Sequence, residues 1–268
     1  MHLTPDQDAF WDWTWDAMAK YDVPALINYV RKDANVAQVA WIGHSQGTMQ
    51  MFGALASKSF DSRHLSQFIA LAPATFIGHV SVPFIHMIAD IPPSVMRDLF
   101  GRKGMWDAPT SLQGPVCGWY PPVCDDFINA VFGADGTATL NQTRLPIYAA
   151  HVPAGTSTLN MLHYRQTLRR NDFSAYDYGS ATLNEQHYNQ PTPPPYNMTE
   201  IVSPPISIFA GTTDSMADPE DVAHLLSVLG KAPKKVVFID DYDHMDFTWS
   251  DTAWEKVYTP VLSLLEAA

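Results

Sequence analysis

The chain has 268 residues, of which 46% are hydrophobic and 16% are charged, so it can bury a full globular core. This composition excludes a disordered chain. The formal net charge of −12 argues against a nucleic-acid-binding protein and against electrostatic attraction to an anionic membrane.

The first predicted elements are a helix, a strand and a second helix. Asp22 is the predicted N-cap of a helix with Pro24 in its first turn, which continues over Ala25–Arg31. The apolar run Val39–Gly43 predicts a buried strand, and Gln46–Ser57 follows as a helix.

A short serine motif, Gly43-His44-Ser45-Gln46-Gly47, joins this strand to the second helix. Glycines on both sides allow a tight turn that leaves Ser45 strained and exposed. A serine between strand and helix in this pattern is typical of a nucleophile elbow, so Ser45 is the predicted nucleophile. The alternative is an ordinary tight turn with a surface serine.

Strands and helices alternate through the rest of the chain, apart from one long insertion. The further predicted strands are Gln67–Ala72, Pro205–Gly211 and Lys235–Ile239. A helix over Pro219–Leu229, capped by Asp218, lies between the last two strands. The chain closes with a helix over Trp254–Glu266, which Pro260 can kink. This alternation predicts an α/β fold with a parallel sheet. Residues 76–203 form a predicted cap between two core parts, residues 1–75 and 204–268.

Two features concern targeting. The segment from Met1 to Gln7 lacks the basic and apolar regions of a signal peptide. The long uncharged stretch Phe68–Ala89 contains two prolines and two histidines, so we expect a buried strand leading into a loop rather than a transmembrane segment.

Two cysteines and two sequons favour a secretory compartment. Cys117 and Cys124 lie close together, and Asn141 and Asn197 each begin an Asn-X-Thr sequon. The interpretation is a small disulfide loop and N-glycosylation. Two reduced, buried thiols remain the alternative.

A serine nucleophile needs a histidine base and a carboxylate that orients it. In α/β-hydrolases the chain order is Ser, then Asp or Glu, then His. His244 follows the last predicted strand and is the predicted base. Asp214 directly follows the preceding strand and is the favoured acid; its rivals are Asp218, the predicted helix cap, and Asp221, in the helix's first turn.

Further ordered stretches carry a family resemblance. They are Phe10-Trp11, Asp16–Ala25, Gly43–Thr48, His151–Ser157, Ala175–Ser180, Tyr188–Gln190, Pro193–Asn197, Asp214, Ala217–Pro219 and His244–Phe247. In these stretches and their order, the chain resembles the acid lipase family, which includes gastric lipase and lysosomal acid lipase. The resemblance runs over nearly the whole chain.

This resemblance implies an α/β-hydrolase sheet with an inserted, mostly helical cap and lid. It also implies Ser45, Asp214 and His244 as a catalytic triad, ester lipids at an interface as substrates, no metal or organic cofactor, and a lysosomal or secreted location.

The chain matches only the C-terminal two-thirds or so of such a lipase. Members carry upstream strands, a signal peptide, and a His-Gly loop that gives one oxyanion N–H. The N–H of Gln46 is the predicted second donor, and the loop has no counterpart here. Losing one donor costs about a hundredfold to a thousandfold in turnover. We therefore expect residues 1–268 alone to be poorly active, and poorly stable because a sheet edge is exposed.

Three functions fit the sequence. The leading one is a lipid-ester hydrolase that works through an acyl-enzyme. The others are a soluble carboxylesterase of the same fold and a truncated, non-catalytic lipid-binding protein. The apolar content of the cap, including Phe76, Phe84, Ile85, Met87 and Ile88, favours lipid, with ordinary core packing as the alternative.

Overall fold

Alternating β-strands and helices build the molecule around a parallel sheet. The computed structural model describes residues 2–101, 104–105, 126, 130–131, 133, 142–152, 154–229 and 233–267. The strands are β1 (Val39–His44), β2 (Leu65–Leu71), β3 (Gly104–Met105), β4 (Thr156–Ser157), β5 (Ile206–Gly211) and β6 (Pro233–Ile239).

Four of these strands form one parallel sheet in the order β1-β2-β5-β6. Ala70 of β2 pairs with Gly43 on one side and Ile208 on the other, which fixes the register at the centre. All four strands end at the same edge, so the residues that follow β1, β5 and β6 meet there. β1 lies at one edge of this described sheet, where Ile42 is 48% exposed.

Helices connect the strands and make up much of the described part of the insertion between β2 and β5. They are α1 (Trp15–Ala17), α2 (Val23–Asp33), α3 (Gln46–Ala56), α4 (Pro83–Asp90), α5 (Pro93–Phe100), α6 (Leu145–Ala149), α7 (Thr158–Arg170), α8 (Ala181–Tyr188), α9 (Pro219–Val228), α10 (Asp246–Trp249) and α11 (Thr259–Glu266). Short 3₁₀ turns cover Asp8–Trp11, Ser62–His64, Gln142–Arg144 and Met198–Glu200, and π turns cover Met18–Asp22 and Trp254–Tyr258.

The four sheet strands agree with the sequence prediction, and their bounds differ from it by no more than two residues. Asp218 caps α9 as predicted, because its Oδ1 accepts the Glu220 N–H at 2.8 Å. The predicted cap at Asp22 is wrong. A π turn carries the helix through Asp22 without a break, and the true cap is Thr14, whose hydroxyl oxygen accepts the Asp16 N–H.

The closing helix also differs from the prediction of a helix kinked at Pro260. Its first part, Trp254–Tyr258, is a π turn, and the α-helix begins at Thr259 with Pro260 in its first turn. A proline has no N–H to donate, so a change of hydrogen-bond pattern just before it keeps the helix continuous.

Two apolar clusters cover the two faces of the sheet. Successive strand residues point to opposite faces, so Phe68 and Ala70 belong to one cluster while Ile69 and Leu71 belong to the other. Fully buried aromatic side chains dominate both, with Trp15, Phe52 and Phe68 on one side and Phe209, Tyr242 and Phe247 on the other. Among the described residues, no helix is both long and apolar enough to cross a lipid bilayer.

A partly buried carboxylate, Asp16, joins the first helix to the inserted segment. Its oxygens accept the Tyr196 hydroxyl at 2.6 Å and the Tyr176 N–H at 2.7 Å. Burial raises the pKa of Asp16 to about 6, against the opposing effects of these hydrogen bonds and of Lys20. Buried His163 lies 4.0 Å away, and burial lowers the pKa of His163 to about 3, so it supplies no positive charge near neutral pH.

The raised pKa of Asp16 predicts a pH dependence of stability. Between pH of about 4 and 6 the unfolded chain ionises Asp16 while the folded chain keeps the proton, so the contribution of Asp16 to the free energy of unfolding falls as pH rises. The loss is up to about 3 kcal/mol and is constant above pH of about 6. His44 and His163, with lowered pKa values, act in the opposite sense.

Comparison with Asp16→Asn isolates this contribution. In urea unfolding at pH 4, 5, 6 and 7, the free energy of unfolding of the unmodified chain is expected to fall relative to that of Asp16→Asn as pH rises. Asp12→Asn, at an exposed position, is the matched control and should keep the original slope. Identical slopes for all three proteins would contradict the raised pKa.

Candidate active site

Ser45 occupies a strained turn at the carboxyl end of β1. Its φ is 53° and its ψ is −120°, a conformation that L-residues rarely adopt. The turn is held from both sides, because the Ser45 N–H donates to the Leu71 carbonyl and the Ser45 carbonyl accepts the Thr48 N–H. A Cβ at Gly43 would lie 2.7 Å from the Gly47 backbone, so Gly43 is needed for the tight approach. A Cβ at Gly47 would meet nothing within 4 Å among the described atoms.

The imidazole of His244 lies between the Ser45 hydroxyl and the Asp214 carboxylate. His244 Nε2 is 2.7 Å from Ser45 Oγ, and His244 Nδ1 is 3.0 Å and 3.2 Å from the two Asp214 oxygens. The tautomer with its proton on Nδ1 donates to Asp214 and leaves Nε2 to accept the serine proton. His244 and Asp214 are only 2% and 1% exposed, so this pair is shielded from water.

Asp214 is held in its ionised form by its neighbours. Burial alone would raise the pKa of its carboxyl, but the His244 imidazole and the N–H groups of Ala217 and Met216 hold that pKa below its ordinary value. The two N–H groups donate to Oδ1 at 2.7 Å and 2.9 Å. The Asp214 carboxylate therefore orients the imidazole, and its Oδ1 is itself held by two backbone N–H groups.

The rival carboxylates are engaged elsewhere. Asp218 caps α9, as described above. Buried Asp221 accepts the His79 N–H and contacts His79 Nδ1, each at 2.8 Å, and this contact raises the pKa of His79. Neither rival contacts His244 in the structure.

His44 packs against the imidazole of His244. The two ring centres are 4.9 Å apart, and His44 Nε2 donates to the His244 carbonyl oxygen at 2.8 Å. Burial, followed by the nearby His244, lowers the pKa of His44 to about 4, which keeps it a neutral donor above that pH. The motif pattern gave no signal for this contact, which joins residues 200 positions apart.

Gln46 is the first residue of α3, directly after Ser45. The first N–H groups of a helix have no partner within the helix, so the Gln46 N–H takes no part in the hydrogen bonds of α3. The positive end of the helix dipole favours negative charge at this point. Gln46 therefore stays a predicted oxyanion donor.

An apolar cavity of about 220 Å³ opens at Ser45. Its walls include Ala74, Ile77, Val80, Phe84, Ile85, Ile88, Met161 and Leu168, from the loop after β2 and from helices α4 and α7. Of the cap residues singled out in the sequence, Phe84, Ile85 and Ile88 line this cavity. Phe76 packs in the core against Phe173 and His224, and Met87 is 59% exposed.

The remaining predicted site residues fall in different places. Cys117, Cys124 and Asn141 lie outside the described residues. Asn197 is exposed, and its side-chain oxygen accepts the Thr199 N–H and hydroxyl, so its sequon stays a predicted glycosylation site. Within the part of the chain that the structure describes, no three His, Cys, Asp or Glu side chains are grouped to hold a metal ion.

Known proteins of similar sequence are acid lipases. The chain is 34% identical over 274 residues to bovine gastric triacylglycerol lipase, covering 99% of this chain and 67% of that protein. It is 33% identical over 273 residues to the lysosomal acid lipase/cholesteryl ester hydrolase of Macaca fascicularis, covering 98% and 66%. Lipase lipl-5 of Caenorhabditis elegans is 35% identical, with 98% and 67% covered. No protein-family model matches the chain.

Solved structures show the fold. A soluble variant of monoglyceride lipase from Saccharomyces cerevisiae superposes with a TM-score of 0.51 at 14% identity, covering 92% of this chain and 68% of that one. A bromoperoxidase from Bacillus anthracis gives 0.50 at 15% identity, covering 92% and 75%. The predicted α/β-hydrolase fold is thereby confirmed.

Proposed function

This chain belongs to the acid lipase family, and on that basis we propose that it is a carboxylic ester hydrolase that cleaves lipid esters, with Ser45 as its nucleophile. One observation carries the mechanism: the Ser45 hydroxyl lies 2.7 Å from a buried imidazole that a buried carboxylate orients, at the mouth of an apolar cavity.

Acylation begins with proton transfer from Ser45. His244 Nε2 takes the hydroxyl proton as Ser45 Oγ attacks the ester carbonyl, and the imidazolium is stabilised by ionised Asp214. The carbonyl oxygen becomes an oxyanion, to which the Gln46 N–H donates. His244 then gives its proton to the departing alcohol, which leaves the acyl group on Ser45.

Deacylation repeats these steps with water. His244 takes a proton from a water molecule, the resulting hydroxide attacks the acyl carbonyl, and the same N–H stabilises the second oxyanion. The proton then returns to Ser45 and the fatty acid leaves.

The cavity supports a lipid acyl group as the substrate. An acyl chain replaces its water contacts by contacts with aliphatic and aromatic walls, which stabilises the bound state by about 0.8 kcal/mol for each buried methylene group. The segment 76–203, proposed as a cap, supplies α4 and α7 to this wall. We therefore expect acylglycerols or sterol esters to be better substrates than short soluble esters.

Exposed Met87 predicts a role at the lipid interface. It lies on α4, whose residues Phe84, Ile85 and Ile88 line the cavity. A charge at this position would oppose contact with an emulsion, so Met87→Glu is expected to lower turnover of emulsified triacylglycerol about fivefold. Hydrolysis of a dissolved butyrate ester should change by less than about twofold.

The control for this experiment is Val202→Glu, at a position that is 76% exposed. It introduces the same charge on an exposed valine and should change neither activity. An equal loss on both substrates for Met87→Glu would contradict an interfacial role. Activity confined to dissolved acetate and butyrate esters in the unmodified protein would favour a soluble carboxylesterase.

The compartment follows from the family. The relatives are named as gastric and lysosomal lipases, and we infer that this chain belongs to a secreted or lysosomal protein. The exposed sequon at Asn197 supports this inference, because N-glycosylation occurs in the secretory pathway.

A further inference from the structure

The side chain of Gln46 is held by two residues of helix α7. Its Oε1 accepts the Asn160 Nδ2–H and the Tyr164 hydroxyl, each at 2.9 Å. Asn160 and Tyr164 are four residues apart and therefore share one face of the helix. They are 114 and 118 positions from Gln46 in the sequence, so a segment far along the chain fixes the residue that follows the nucleophile.

Further hydrogen bonds hold the side chain of Asn160 in place. It is 1% exposed, its Oδ1 accepts the Trp15 N–H at 2.8 Å, and its Nδ2 also donates to Thr156 Oγ1 at 3.0 Å. Its own N–H donates to Ser157 Oγ, which caps α7. A side chain with all these partners has one position, and a shift of its amide would leave a buried polar group unpaired.

Tyr164 connects this contact to the cavity. It is one of the residues that line the cavity beside Ser45, and α7 also places Met161, Arg165 and Leu168 in that wall. Burial raises the pKa of the Tyr164 phenol, so the hydroxyl stays protonated and donates to Gln46. One helix thus contacts both the acyl cavity and the residue whose N–H serves the oxyanion.

We propose that Asn160 and Tyr164 are positioning residues for the reaction, which hold the Gln46 side chain so that its main-chain N–H stays aimed at the oxyanion. The inference rests on the proposed function. Gln46 directly follows the strained backbone of Ser45, so the position of its N–H depends on contacts that hold this turn. An oxyanion donor must stay close to its position in the transition state, because displacement of about 1 Å costs roughly a hundredfold in rate.

Two near-isosteric variants test the proposal. Tyr164→Phe removes only the hydroxyl that donates to Gln46. Asn160→Asp keeps the acceptor for the Trp15 N–H and removes the NH₂ group that donates to Gln46 and to Thr156. Each is expected to lower kcat about tenfold, with KM changed less than about twofold, because the interaction matters in the transition state and not for substrate binding. The inhibition constant of an alkylboronic acid, which forms a tetrahedral adduct on serine, should rise by the same factor as kcat falls.

Tyr196→Phe is the matched control. It also removes a tyrosine hydroxyl that donates a partly buried hydrogen bond, here to Asp16, on the wall of a separate pocket. It should lower thermal stability as much as Tyr164→Phe and leave kcat unchanged. In a Gln46→Ala background the effect of Tyr164→Phe on kcat should disappear, because its partner is gone.

The results of these experiments distinguish a failure of the positioning role from a failure of the proposed ester hydrolase function. Suppose that the unmodified protein hydrolyses esters, and that Tyr164→Phe has the same kcat and boronate affinity as the control Tyr196→Phe. The positioning role of Tyr164 is then wrong, and its hydrogen bond to Gln46 is only structural. If the unmodified, folded protein shows no turnover and binds no boronate, the proposed function itself fails. If Asn160→Asp does not fold, the kcat and boronate affinity of Tyr164→Phe alone decide whether the positioning role is correct.

Discussion

Replacement of Ser45 by alanine is expected to lower ester turnover by at least about 10⁴-fold, because no acyl-enzyme forms without the hydroxyl. The buried His244–Asp214 pair, the apolar cavity and the strained turn all remain, so substrate still binds. The measurement is the initial rate of hydrolysis of p-nitrophenyl esters and of emulsified triacylglycerol, with thermal melting as the test of folding.

Two further serine variants are compared with Ser45→Ala. Ser57→Ala, at the exposed end of α3, removes a serine hydroxyl away from the site and should keep full turnover. Ser45→Gly should be as inactive as Ser45→Ala but more stable by about 1 kcal/mol, because glycine adopts a φ of 53° without strain. Substantial turnover by folded Ser45→Ala would show that another group is the nucleophile.

Replacement of Asp214 by asparagine is expected to lower turnover by about 10⁴-fold with the fold intact. The Met216 and Ala217 N–H groups donate to Oδ1, so the asparagine oxygen takes that place and its NH₂ group faces His244 Nδ1. Nδ1 must then be the acceptor, and the imidazole proton moves to Nε2. That nitrogen can no longer accept the Ser45 proton.

The controls are the two rival carboxylates. Asp218→Asn keeps a good helix cap and should leave turnover within about twofold of the unmodified protein. Asp221→Asn weakens the His79 contact and is expected to affect stability rather than kcat. A large loss of kcat in either control, with Asp214→Asn active, would move the role of the acid to that residue.

The sequence predicted the sheet well because its strands are short apolar runs with clear turn signals. Ser45, Asp214 and His244 follow three of these strands, and parallel strands end at one edge, so the chain order alone predicts that they meet. The cap at Asp22 was predicted wrongly because Pro24 in a first turn is a strong local signal. Packing of Trp15 and Ala19 in the core outweighed it and extended the helix backwards through a π turn.

The supporting contacts could not be predicted from the sequence. Asn160, Tyr164 and His44 act through hydrogen bonds to residues more than 100 positions away, and a single sequence has no pattern that marks such pairs. The buried state of Asp16 likewise depends on Tyr176 and Tyr196, which the fold brings to it from the inserted segment. Local patterns specify elements, whereas these networks depend on how the elements pack.

Covalent labelling with a fluorophosphonate tests the central claim most directly. The probe reacts with a serine only where an imidazole activates the hydroxyl and an N–H stabilises the adduct. Intact-mass and peptide analysis of the folded protein should show one adduct, on Ser45, and none in Ser45→Ala. A folded protein that takes up no label at Ser45, or that is labelled equally after Ser45→Ala, would contradict the assignment of this site.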